Sequence, residues 1–368
     1  MIQENYNLRK EEQVMYRLRK LYEQYGYHKF KMSKFEEYDF YAENRSFLSS
    51  KNILTFTGMN GKLMALKPDI TLSIVKNTRA DRQTSDRVYY TERVYRAGRH
   101  SGEYKEILQT GVEYIGNADS YAEMEVLLLA KKSLEAAEAE YLITLSHMGY
   151  VKGLMEEARL DETGQRNILS LIRKKNLKEI GEFCNNHQVS EEMKERLIKL
   201  AGLYGSLEQT IPVIHSLCCN KEMEEAAEEL DELSRCMKAF GSDENFYIDF
   251  SIVNDMDYYN GIIFQGYIKG IPKVVLNGGR YDRLLQKFDR DADAIGFGIS
   301  LDLVERFVRE QTEYDVDVLL LYEKGTDAVA LMKEAGKLRG QGQTVLTAQH
   351  DSGKIRYKKL IKMEERGK

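Results

Sequence analysis

Residues 87–116, RVYYTERVYRAGRHSGEYKEILQTGVEYIG, constrain the fold more than any other stretch of the chain. Two runs rich in Val, Tyr, Thr and Ile flank a polar loop containing glycine, the pattern of an antiparallel strand–loop–strand unit. Along the second run Gln109, Gly111 and Glu113 fall at every second position, so on a strand they share one face. An amide and a carboxylate on the inner face of a sheet are costly to bury unpaired. Either their partners lie inside the protein, or they line a polar pocket. In a pocket the carboxylate would pair with an ammonium or a ring N–H, and the amide would hold another polar group.

A chain of 368 residues supports two to three domains of about 100–200 residues each. With 42% hydrophobic and 31% charged residues it can bury a core and stay soluble, which excludes a disordered, collagen-like or disulfide-scaffold protein. The net charge of -5, from 54 Lys+Arg against 59 Asp+Glu, offers no general basic footprint for a phosphate backbone. No apolar run approaches the ~20 residues of a membrane helix, and MIQENYNLRKEEQ lacks the apolar stretch of a signal peptide. The expectation is a cytoplasmic protein without membrane contact. Cys184, Cys218, Cys219 and Cys236 fall in one helical stretch without zinc-ribbon spacing, and His187 and His215 complete no ligand pattern. Free thiols in a reducing compartment are expected.

Only three prolines occur, so boundaries are read from periodicity and glycine. Residues 8–25 place Val14, Leu18, Leu21 and Tyr22 at helical spacing, and Gly26 stops the helix. MNGK within ILTFTGMNGKLMAL reads as a hairpin turn. KPDITLSIVKNTRA reads as a helix entered through Pro68, with Asp69 in its first turn. Residues 119–240 are mostly helical in pattern and dense in Glu, Lys and Leu. Strand character returns at 246–277, and IGFGISLDLVERF reads as a strand turning into a helix. The tail is a β–α–β pattern, closed by residues 352–368 with seven Lys or Arg against two Glu, read as a solvated, poorly ordered terminal helix.

Gly278-Gly279-Arg280-Tyr281-Asp282 would let the backbone approach a ligand closely, although a glycine pair after a strand is more often only a turn. It gains force beside Tyr258-Tyr259 and the Arg96, Gln109 and Glu113 strand pair. Together these segments resemble the catalytic core of histidyl-tRNA synthetases from about residue 8 to 310. YRAGRHSGEYKEILQTGVEYIG resembles motif 2, DYYNG and NGGRYDRL resemble the two histidine signatures, and LKPDIT resembles the LRPEGT segment. The resemblance implies an α+β class: a class II aminoacyl-tRNA synthetase-like antiparallel sheet of six or more strands, flanked by helices. Residues 1–144 and 241–312 would form this core, 145–240 a helical insertion, and 313–368 a truncated β–α–β remnant of an anticodon-binding-like domain with a basic tail. It further implies a histidine pocket of Asp69, Thr71, Gln109, Glu113, Tyr258, Tyr259 and Tyr281, with Arg96 beside it. No cofactor and no metal is implied.

The departures lie on the nucleotide side. The family's GLER arginine is replaced in Ser300-Leu301-Asp302-Leu303, and the arginine that opens RGLDYY aligns with Asn254. FRxE reads Tyr95-Arg96-Ala97-Gly98, GRYR reads Gly102-Glu103-Tyr104-Lys105, and the motif 1 proline is Ser33. Of the expected arginines, Arg96 and Arg99 remain. Losing one preorganised donor to a developing phosphate charge costs about 10²–10³ in rate, so with two gone aminoacylation is expected to be lost. A retained amino-acid pocket beside a dismantled ATP site resembles the regulatory subunits of ATP phosphoribosyltransferase. That family implies a short-form catalytic subunit as partner, usually in a hetero-octamer, histidine as feedback effector, a class II homodimer core, and no use for tRNA. Two other readings remain open. A divergent histidyl-tRNA synthetase would show histidine-dependent pyrophosphate exchange, and a tRNA-sensing module would bind RNA with steep salt dependence.

Overall fold

Helix α1 (Lys10–Gln24) forms because Val14, Leu18 and Tyr22 recur one turn apart and bury together, and it ends where Gly26 turns left-handed at φ +79. The computed structural model describes residues 10–48, 52–97, 103–253, 258–310 and 314–363. After β1 (His28–Lys29), the Ser33 hydroxyl accepts the Phe35 N–H at 3.1 Å and turns the chain into β2 (Phe35–Glu37) and α2 (Tyr38–Glu43). Strands β3 (Thr55–Thr57) and β4 (Leu63–Leu66) form the hairpin expected at MNGK, with Gly61 at φ +78, and β2 completes a sheet in the order β2-β4-β3. Helix α3 (Thr71–Asn77) starts later than its sequence suggests. Asp69 precedes it and caps it, Oδ1 accepting the Leu72 N–H at 3.0 Å, because an aspartate before a helix satisfies an otherwise orphaned donor.

The central pair is β5 (Asp86–Ala97) and β6 (Tyr104–Gly116), antiparallel with Tyr90 opposite Gly111 and Glu92 opposite Gln109. Asp119 caps α4 (Ser120–Glu135). Within the mostly helical stretch 119–240, β7 (Tyr141–His147) is an inner strand of the sheet and crosses the boundary expected at residue 144. An apolar run as short as YLITLSH suits either element, and pairing decides. Helices α5 (Met148–Glu157), α6 (Glu162–Arg173), α7 (Leu177–Asn186) and α8 (Glu191–Gly202) follow, then β8 (Tyr204–Ser206), α9 (Leu207–Leu217) and α10 (Lys221–Ala239). Asp161, Asn176, Ser190 and Asn220 each cap the helix they precede. The chain then returns through β9 (Phe246–Asp249), β10 (Ile262–Ile268), β11 (Leu276–Arg280), α11 (Asp282–Lys287), β12 (Asp293–Ser300) and α12 (Leu301–Glu310).

These strands form one nine-stranded sheet in the order β1-β5-β6-β12-β11-β10-β7-β9-β8. The six from β5 to β7 run antiparallel; β1 joins β5 and β9 joins β7 in parallel. One face carries Val88, Tyr90, Val94, Ile115, Ala294 and Tyr281, which pack with Leu72, Ile74 and Val75 of α3 into a single core. The candidate site is set into this face.

The chain divides into two compact units, Met1–Glu305 and Arg306–Lys368. The second holds β13 (Val316–Leu321), α13 (Ala328–Gly340), β14 (Val345–Ala348) and β15 (Tyr357–Lys362), a parallel sheet in the order β14-β13-β15. The basic tail is thus a strand over Tyr357–Lys362 rather than a helix, and residues 364–368 lie outside the described residues. Charge masks the strand pattern there. Lys358 pairs with Asp317 at 2.7 Å, while Leu360 and Ile361 supply the register against Leu319 and Leu320. No helix among the described residues is long and apolar enough to cross a membrane.

Candidate functional site: an acidic, tyrosine-walled pocket

Strand alternation brings Gln109, Gly111 and Glu113 to the core face of β6. Glu113 is only 2% exposed. Its Oε1 accepts the Thr71 hydroxyl at 2.9 Å and its Oε2 the Tyr281 hydroxyl at 2.7 Å. A carboxylate offers about four acceptor positions, so both oxygens retain capacity for a further donor. Burial pushes the Glu113 carboxyl up to about 8, against the two hydroxyls that favour its charged form, and the nearby Asp69 carboxylate pushes the same way.

Asp69 is the second acid. Its pKa is also raised by burial, opposed by the Arg96 guanidinium and by the N–H groups of Leu72 and Thr71. Arg96 lies 3.9 Å from Asp69 Oδ2 and donates through Nε to the Pro68 carbonyl at 2.9 Å, which holds the strand β5 cation at the mouth of the segment that enters α3. Tyr258 and Tyr259 pack edge to face with ring centroids 4.5 Å apart, and Tyr258 lies 5.9 Å from the Tyr281 ring. Burial raises the pKa of all three hydroxyls, so they remain neutral donors at physiological pH. Asp69, Thr71, Arg96, Glu113, Tyr258, Tyr259 and Tyr281 thus converge. Gln109 stands apart on the same face, beyond Gly111 and opposite Ser300, and its amide meets no hydrogen-bond partner among the described residues.

Sequence reasoning missed two glycines of the floor, Gly296 and Gly298. Gly111 is paired with Gly298, and Gly296 lies between Glu113 and Gly279 across three strands. A Cβ on Gly296 would sit 1.8 Å from Glu113 Oε2, one on Gly111 1.9 Å from the Phe297 carbonyl, and one on Gly279 2.7 Å from the Tyr259 ring. Only glycine leaves room for the acid and the ring to lie against the sheet. The alternation of Gly296 and Gly298 in IGFGIS was the available signal. Tyr90 was missed as well. It is buried, its hydroxyl bonds the Phe297 carbonyl at 3.4 Å, and both carboxylates raise its pKa after burial itself.

Where the sequence departs from the synthetase motifs, Asp302 Oδ2 accepts the Leu108 N–H at 3.0 Å, tying α12 to β6, and Leu303 beside it is half-buried hydrocarbon. Lys67 is completely buried, and its ammonium lies 3.1 Å from Glu92, so its charge is neutralised inside the protein. Arg99 and Asn254 lie outside the described residues. The four cysteines are free thiols. Chemically, two acids and an arginine inside a tyrosine wall suit a small zwitterion that carries an ammonium and further N–H groups.

The antiparallel sheet with its pocket on the α3 side defines a class II aminoacyl-tRNA synthetase-type core. A Bacillus halodurans structure described as an ATP phosphoribosyltransferase regulatory subunit/histidyl-tRNA synthetase has the same fold, with a TM-score of 0.74 at 24% identity over 98% of both chains. A chain of the ATP phosphoribosyl transferase complex from Thermotoga maritima has a TM-score of 0.61 at 18% identity over 78% of this chain and 95% of its own. The sequence profile of the histidyl-tRNA synthetase family matches residues 5–304, and the chain belongs to that family. An Oceanobacillus iheyensis protein described as ATP phosphoribosyltransferase regulatory subunit is 26% identical over 373 residues, covering 97% of this chain and 92% of that protein.

Proposed function

We propose that this chain is a non-catalytic regulatory subunit of ATP phosphoribosyltransferase. It would support a short-form catalytic subunit in the first step of L-histidine biosynthesis and mediate feedback by histidine. The observation that carries this reading is the contrast between the amino-acid positions and the nucleotide positions of the synthetase motifs. Glu113 is held by Thr71 and Tyr281 inside a tyrosine cluster, whereas the position of the synthetase arginine carries Leu303, beside an Asp302 that accepts a backbone N–H. A triphosphate needs arginines at that place to neutralise its charge. The relative described as a regulatory subunit over nearly its whole length supports the same choice.

In this reading Asp69 and Thr71 receive the ammonium of histidine, Glu113 receives the imidazole N–H, the three tyrosines wall the ring, and Arg96 and Gln109 face the carboxylate. A bound N–H donor stabilises ionised Glu113, so binding near neutral pH releases its proton. Feedback is then a coupling free energy, typically ~1–3 kcal/mol, between pocket occupancy and the state of the assembly. A hetero-octamer built on a class II homodimer is the expected assembly, in the cytoplasm.

The test is the activity of a short-form catalytic subunit from the same organism, with and without this chain, across a histidine titration. Activity that appears in the mixture and falls with histidine supports the reading. Glu113→Ala should leave the activation and shift the inhibition to at least tenfold higher histidine. Unchanged inhibition in that variant would remove the pocket from the feedback mechanism. Histidine-dependent pyrophosphate exchange by the chain alone would return it to the synthetases.

A further inference from the structure

The pocket's tyrosines come from two separate segments. Tyr258 and Tyr259 precede β10, and Tyr281 follows β11. Tyr259 must lie over Gly279, and Tyr281 must reach Glu113, so the spacing of the two segments sets the geometry of the site. The β10–β11 pairing stops short of the tyrosines, since β10 begins only at Ile262 and β11 ends at Arg280, while the Tyr281 N–H still donates to the Ala294 carbonyl at 2.8 Å. Just beyond both ends, Asn260 and Asp282 engage each other twice. The Asn260 Oδ1 accepts the Asp282 N–H at 2.8 Å, and its Nδ2 donates to Asp282 Oδ2 at 2.9 Å. The Asn260 N–H also donates to the Arg280 carbonyl at 3.1 Å.

The Asp282 carboxylate is fixed in turn. It is 7% exposed, its Oδ1 accepts the Ala294 N–H at 2.8 Å, and its Oδ2 accepts Arg280 Nε at 2.8 Å. Arg280 lays its aliphatic stem against Gly261, where a Cβ would meet its Cδ at 2.9 Å. Its guanidinium reaches Glu123 at 2.8 Å, the Ala118 carbonyl at 3.2 Å and Asp293 at 3.5 Å. These bonds tie Arg280 and Asp282, the residues on either side of Tyr281, to Glu123 of α4 and Ala294 of β12.

We propose that Asn260 and Asp282, backed by Arg280, form a clasp that fixes the Tyr258–Tyr259 segment relative to Tyr281 and so sets the affinity of the site. They are positioning residues for histidine, and this inference rests on the histidine reading given above. A structural support of the fold alone would act on stability; a clasp acts on ligand affinity at constant fold.

The test uses the full chain, with histidine as the calorimetric probe. Asn260→Ala should weaken histidine binding by about tenfold while the far-UV circular dichroism and the pocket's other residues stay as they are. Asn260→Asp keeps the acceptor for the Asp282 N–H but sets a second carboxylate against Asp282. Relative to the unsubstituted chain at each pH, its affinity should be lowest at pH 8 and recover toward pH 5, as a shared proton restores the donor. Equal affinity of all three chains at both pH values would overturn the clasp. Amide exchange at Asp282, expected to be about tenfold faster in Asn260→Ala, checks that the substitution has released the bond whose effect on affinity is being read. Failure of the unsubstituted chain to bind histidine would overturn the sensor reading itself, whereas binding that is equal in all three chains would overturn the clasp alone.

Discussion

Neutralising Glu113 by Glu113→Gln should alter the pH dependence of stability in a defined direction. The side chain keeps its shape, and the Thr71 and Tyr281 hydroxyls can each turn to an amide group. In the folded chain burial holds the Glu113 carboxyl at about 8, against an ordinary value of 4.5. A raised acid keeps its proton in the native state while the unfolded chain has already lost it. Its stabilising contribution is therefore complete below about pH 4.5 and is lost as pH rises to about 8. At about 1.4 kcal/mol per pH unit, the loss between pH 5 and pH 8 is roughly 3–4 kcal/mol, and a glutamine has none of it. Urea unfolding followed by far-UV circular dichroism at pH 5, 6, 7 and 8, each referred to the variant at the same pH, isolates this term from other titrating groups. The unsubstituted chain should lose ground steadily to Glu113→Gln across that range. A difference that changes by less than about 1 kcal/mol from pH 5 to pH 8 would mean that Glu113 is solvated or paired with a cation, and the electrostatic account of the pocket would fail.

Two further substitutions test the surroundings of that acid. Gly296→Ala places a methyl 1.8 Å from Glu113 Oε2 and 2.5 Å from the Val112 carbonyl, so carboxylate and strand must both move. It should cost about 1–3 kcal/mol in thermal unfolding and abolish histidine binding by calorimetry, and an unchanged affinity would show that the floor does not shape the site. Lys67→Met strands the Glu92 carboxylate beside a buried methionine, and chemical denaturation should register about 3 kcal/mol of destabilisation. The double change Lys67→Met with Glu92→Leu should recover most of it; a double variant as unstable as the single one would argue against a buried ion pair.

How much of this was legible in the sequence depends on how local the signal was. The β5–β6 pair, the MNGK hairpin and α1 were readable, because alternation, turn chemistry and helical spacing act within a few residues. β7 and β15 were not, because a short apolar run and a lysine-rich run become strands only through partners that lie more than a hundred and about forty residues away. The pocket shows the same division. Gln109, Glu113 and the tyrosine pairs stand out as polar or aromatic residues in strand-like segments, whereas Gly296 and Gly298 carry no side chain to notice. Their importance appears only when registers across β6, β12 and β11 stack Glu113, Gly296 and Gly279 in one row. Asp69 makes the point most sharply, since one carboxylate both caps α3 through the Leu72 N–H and faces Arg96 at the pocket. Spacing alone suggested a first-turn aspartate, and the cap explains why the acid is held where a ligand ammonium could meet it. Glu113, the acid most costly to ionise where it is buried, is thus also the one that ties the Thr71 and Tyr281 walls of the site together.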